Sequence, residues 1–145
     1  MGAPVSSFAR RWRVAYDRGM SAATSPSGAH CTPTVYYDGG CPVCTREIAM
    51  YRQQPGAEGI RWVDASTCGA EELGAQLSRE EALARLHLRG ADGQLVSGAA
   101  AFTGMWREMP RWRWLGMLFG KGWRLASLEG AYRVFLRVRR LWRRA

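Results

Sequence analysis

The apolar positions fall into short runs and periodic stripes that predict alternating strands and helices. Thr34 to Tyr37 is β-branched and aromatic, which suits a strand, and the run stops at Asp38 and a glycine pair. Gly39 and Gly40 permit positive φ or close backbone approach, so a sharp turn is expected there. Thr45 to Arg52 then reads as helix, with Val43, Ile48 and Tyr51 as its apolar stripe, Ala49 beside it, and Arg46, Glu47 and Arg52 in water. Gln54-Pro55-Gly56 breaks that pattern, and Ile60 to Ala65 reads as a second strand, completing a βαβ unit.

Ser66 or Thr67 is the expected cap of a short helix with Glu71 and Glu72 in its early turns and Leu73 and Leu77 inward. Ser78 with Glu81 three residues later is a capping-box pattern that predicts one more helical turn. Arg85 to Arg89 alternates apolar with polar, Ala91-Asp92-Gly93 turns, and Gln94 to Ser97 continues the extended pattern, which signals a hairpin. Ser97 is the expected cap of a helix whose stripe is Phe102, Met105, Trp106 and Met109, ended by Pro110. The predicted order is βαβαββα.

From Trp112 the apolar segments are divided by Gly116, Gly120 and Gly122, and a long helix is expected from about Leu128 to Arg144. Leu128, Tyr132, Phe135, Val138 and Trp142 share one face of it, and Arg133, Arg137, Arg140 and Arg144 line another. The expectation is that the domain core consumes the apolar face and leaves only charge outward.

The chain's 145 residues, 47% of them hydrophobic, are enough for one conventional core without disulfide staples. Net charge is +9 but uneven: residues 1–32 sum to +3, 33–104 to −3 and 105–145 to +9. Basicity is therefore a C-terminal property. No apolar run approaches a membrane span, and the N-terminus lacks the apolar core of a secretory signal. The organisation expected is a flexible basic leader over 1–32, a redox core over 33–109, and an Arg/Trp-rich helical extension over 110–145 packed on that core. Met20 opens a shorter chain, and an organelle-targeting peptide is a further reading of the leader.

Four cysteines, Cys31, Cys41, Cys44 and Cys68, are too few and too unevenly spaced for a secreted disulfide framework, which points to a reducing, cytoplasmic compartment. Cys41 and Cys44 fall on the first turn of the predicted helix, where unpaired N–H groups and the positive end of the macrodipole stabilise a thiolate. Cys41 is then the expected nucleophile. Cys44, three residues on, is placed to attack a mixed disulfide at Cys41. Pro42 between them costs no helical hydrogen bond and stiffens the ring.

The run Asp38-Gly39-Gly40-Cys41-Pro42-Val43-Cys44 after a strand and before a helix resembles the DCC family of thiol-disulfide oxidoreductases, named for an aspartate and two cysteines at this spacing. The resemblance extends from about Thr34 to the C-terminal Arg-rich helix. It implies an α/β, thioredoxin-like central sheet flanked by helices, here with added C-terminal helices, and a catalytic set of Cys41, Cys44 and Asp38. Gly39, Gly40 and Pro42 form the supporting turn. Thioredoxins place a cis-proline beside the cysteine pair just before the third strand; Leu83 to Ser97 contains no proline, and His87 or nearby backbone is expected to fill the space.

The function expected is disulfide exchange with a protein or small thiol, without cofactor or metal. A zinc site would need four ligands, and His30, Cys31, Cys68 and His87 come from dissimilar contexts. Asp38 reads either as an aid to proton transfer or as an acceptor for turn amides. Cys68 reads as packing and His87 as a satisfied strand histidine. The Arg/Trp-rich end suits a helical lid, peripheral contact with an anionic membrane, or nucleic acid, for which no reading module accompanies the charge. A non-enzymatic basic adaptor with a structural or metal-binding cysteine pair is the rival from another class.

Overall fold

A computed structural model describes residues 31–143. The leader expected over 1–32 lies, except for its last two residues, outside the described residues, as does Arg144. Four strands, β1 (Thr34–Tyr37), β2 (Arg61–Asp64), β3 (His87–Arg89) and β4 (Leu95–Ser97), form one sheet in the order β2-β1-β3-β4. β1 runs parallel to β2 and antiparallel to β3, and β3 pairs antiparallel with β4. The helices are α1 (Pro42–Arg52), α2 (Ala70–Leu73), α3 (Arg79–Ala84), α4 (Ala99–Glu108), α5 (Arg113–Phe119) and α6 (Gly122–Arg143). This is the α/β, thioredoxin-like architecture expected.

β1 is central and covered on both faces, so its apolar run does not alternate. Val35 turns to one side, where Ile48, Tyr51, Leu88, Met105 and Met109 form the larger core. Tyr36 turns to the other, against Val63, Leu73, Leu77 and Ala82. Both clusters hold the carboxyl end of β1, where Asp38 and the turn begin.

Several boundaries differ from expectation. The second helix starts after Gly69 rather than at Ser66 or Thr67, and Leu77 is buried beyond its end. The capping box of Ser78 and Glu81 forms as read. α4 is entered through Gly98 rather than capped by Ser97, because the chain there needs a φ of 63°, and a side chain would overlap Arg85 and Glu129.

Val43 and Ala49 are exposed rather than part of α1's buried stripe, whereas Glu47 is half-buried. Of the C-terminal tryptophans, Trp106 and Trp112 pack on the core, Trp106 donating Nε1–H to Tyr51 Oη at 3.1 Å. Trp114, Trp123 and Trp142 are exposed.

α6 begins at Gly122, earlier than the sequence suggests, and its inward side is Leu125, Leu128, Glu129, Tyr132, Phe135, Leu136 and Arg139. Val138 and Trp142 do not share that side, and Val134 and Leu141 are also exposed, so the core does not consume all of the helix's apolar surface. The inward stripe ends on an arginine, so the expected face through Leu128 and Trp142 is rotated away from the core at its C-terminal end.

Candidate active site

The turn is built from backbone amides held by two aspartates. Gly40 N–H donates to Asp38 Oδ1 at 3.0 Å, and Gly39 N–H donates to Asp64 Oδ1 at 2.9 Å. A Cβ at Gly39 would overlap the Asp64 carboxylate, so close approach is the reason for this glycine. Burial alone would raise the Asp64 carboxyl, but hydrogen bonds from Ser66 and Gly39 outweigh it and hold it below its ordinary value.

Cys41 is the N-cap of α1 and Pro42 follows at the first helical position, where its missing N–H costs nothing. The Cys41 sulfur accepts the Cys44 backbone N–H at 3.4 Å and lies 2.6 Å from Cys44 Sγ. A sulfur therefore occupies the place where a serine or aspartate oxygen usually caps a helix. Cys41 is 1% exposed, while Cys44 is half-buried on the rim of a small cleft.

The cleft holds a residue that hydrophobic patterning had assigned to no site. Arg139, 6% exposed, reaches in from α6. Its Nη2 donates to Leu83 O at 2.6 Å and to Asp38 Oδ2 at 3.4 Å, and its Nη1 donates to Cys44 Sγ at 3.5 Å. Burial, the S–H bond to Cys41 and the charge of Cys41 together push the Cys44 thiol up to about 12, with Arg139 acting against them. Asp38 is thus a turn acceptor and an ion-pair partner at once.

A family model for DCC1-like thiol-disulfide oxidoreductase matches residues 35–145. The chain belongs to the DCC1-like thiol-disulfide oxidoreductase family. A chloroplastic protein of Arabidopsis thaliana, described as uncharacterised, is 32% identical over 75 residues, covering 50% of this chain and 35% of that protein. The matched stretch is thus about a third of that relative's length. No solved structure gives a significant match.

In this DCC1-like domain the space before β3 is filled from α6. Arg139 takes the Leu83 carbonyl, Tyr132 Oη accepts Leu86 N–H at 2.8 Å, and Glu129 binds the Arg85 guanidinium and Ala99 N–H. His87 does not supply it: its Nδ1 pairs with Arg85 O at 2.8 Å and its ring is buried. Cys68 packs against the smaller core, away from the pair. Asp38, Cys41 and Cys44 are brought together as the sequence implied, and Arg139 joins them. Its signal was the inward stripe at 125, 128, 132 and 135 or 136, whose next step is 139.

Proposed function

We propose that this domain catalyses thiol-disulfide exchange, with Cys41 as the attacking sulfur and Cys44 as the resolving one. The observation that carries this is the 2.6 Å approach of the two sulfurs at the helix start, with Cys41 Sγ accepting the Cys44 backbone N–H. The thiolate is the nucleophile in such an exchange. Cys41 attacks one sulfur of a substrate disulfide, forming a mixed disulfide and expelling the other sulfur as a thiolate. Cys44 then loses its proton and attacks Cys41, closing the protein disulfide and expelling the second substrate thiolate. The substrate gains two electrons and the cysteine pair loses two. Closure needs the sulfurs to draw in to about 2.05 Å.

Cys41→Ser is expected to abolish exchange and Cys44→Ser to trap a mixed disulfide with a model disulfide, read by mass spectrometry. The greater exposure of Cys44 favours the opposite order. Trapping through Cys44 in the Cys41→Ser variant, and not through Cys41 in the reciprocal one, would establish that order instead. Sulfurs that resist both oxidation and trapping would leave the non-enzymatic adaptor.

We infer a protein or small-thiol partner, a cytoplasmic setting, and peripheral contact with anionic membrane through α6. The membrane contact is supported by Trp123, Val134 and Leu141, which helical spacing places on one outward side, next to Arg133, Arg137 and Arg140. Among the described residues no helix is long and apolar enough to cross a membrane.

A further inference from the structure

We propose that Arg139 is a catalytic residue of the second half-reaction, its guanidinium receiving the charge that Cys44 develops as it displaces substrate from Cys41. This rests on the exchange reading above. The geometry is that of a preorganised cation. Arg139 is held by the Leu83 carbonyl and the Asp38 carboxylate through Nη2, which leaves Nη1 directed at the reacting sulfur. No reorganisation is then needed when negative charge appears.

The other groups around Cys44 do not replace it. Cys41 lies against the sulfur, and Asp38, Glu47, Arg85 and Tyr132 line the same cleft. Asp38 and Glu47 have the wrong sign for stabilising a thiolate, and burial pushes the Glu47 carboxyl up. Arg85 is engaged by Glu129. Burial likewise pushes the Tyr132 phenol up, and its oxygen is occupied by Leu86 N–H.

The arrangement also orders the steps. While Cys41 is free, its sulfur lies against Cys44 Sγ and, with burial, helps to keep the Cys44 proton in place. Once Cys41 is in a mixed disulfide that contribution is gone, and burial is the main influence left opposing Arg139. The Cys44 proton then passes to solvent, the Cys44 sulfur bonds to Cys41 Sγ, and the bond from Cys41 to the substrate sulfur breaks with departure of a thiolate. Two electrons leave the cysteine pair for the substrate disulfide, so the step balances without another reagent.

With Cys31 and Cys68, the other two free thiols, replaced by serine throughout, an aromatic disulfide such as 5,5′-dithiobis(2-nitrobenzoate) separates the half-reactions, because one coloured thiolate is released on capture at Cys41 and a second on closure by Cys44. A nearby cation changes a thiolate population by about 10- to 1,000-fold. The greater nucleophilicity of a more basic thiol returns roughly half of that on a logarithmic scale. Arg139→Gln is therefore expected to slow the second release by about 3- to 30-fold and move its pH midpoint upward, with capture much less affected, and Arg139→Lys is expected to restore part of the loss. Closure by Arg139→Gln at the wild-type rate and midpoint would overturn the proposal. So would equal slowing of both phases with a lowered melting temperature and no rescue by lysine, the pattern of a merely structural arginine. Absence of any second release from the protein that keeps only the Cys41–Cys44 pair, with Arg139 intact, would instead remove the exchange reading itself.

Discussion

Asp38 and Arg139, 101 residues apart in sequence, form a buried ion pair with Nη2 3.4 Å from Oδ2. The pair ties the turn after β1 to the last helix, so the C-terminal segment is part of the cysteine site rather than a cover laid over it. Removing one partner strands the other charge, at a cost of about 3–5 kcal/mol, whereas replacing both can be nearly neutral. Asp38→Asn is therefore expected to lower the urea midpoint markedly, and Asp38→Asn with Arg139→Leu is expected to recover much of the loss. Additive losses in the double variant, measured by equilibrium unfolding, would show that the two side chains are not coupled.

The entry to α4 gives a prediction independent of that pair. At Gly98 the backbone has a φ of 63° and a side chain would meet Arg85 and Glu129. Gly98→Ala is expected to cost about 1–3 kcal/mol from backbone strain alone. It should also loosen the Glu129 bonds that place α6 against α4 and β3. Unfolding curves measure the first effect, and faster amide exchange at Ala99 measures the second.

His87 supplies a pH dependence. Burial holds its imidazole below its ordinary value, although the hydrogen bond to Arg85 O acts the other way. The unfolded chain therefore takes up a proton at a pH where the folded one does not. The stability at stake is fully present above the unfolded value, about 6.5, and is lost as pH falls through the lower folded value. Comparing urea midpoints at pH 7.5 and pH 5, His87→Leu is expected to lose less stability on acidification than the wild type. An identical loss in both would show that His87 does not titrate in that window.

These residues also show where patterning succeeds and where it stops. β1 and the hairpin were legible because β-branched runs and Asp92-Gly93 carry local instructions, and Ser78 with Glu81 states its own cap. Gly98 in place of Ser97 was not legible, because a positive φ is imposed by the packing of Arg85 and Glu129 around the turn. Val43 looked apolar enough to bury, yet at the helix start it has no partner layer. Arg139 was hidden for a different reason. Periodicity treats every arginine as solvent-facing, and only the fold reveals a carboxylate, a carbonyl and a sulfur arranged to receive one.

The outward side of α6 carries the last prediction. Trp123 is 74% exposed and Leu141 66%, so the expectation that the core would consume this helix's apolar surface does not hold. Charge alone would give vesicle binding that disappears as salt screens it, because the Debye length falls to about 3 Å at 1 M. Burying a large apolar side chain in the interface adds about 1.5–3 kcal/mol that salt does not remove. Sedimentation with vesicles containing phosphatidylserine is therefore expected to leave part of the protein bound at high salt, and Trp123→Ala with Leu141→Ala to abolish that fraction. Both side chains lie away from the cysteine cleft, so exchange in solution should be unchanged by the same variants. Complete release of the wild-type protein at high salt would confine α6 to screened, non-penetrating attraction and remove membrane contact from the proposed function.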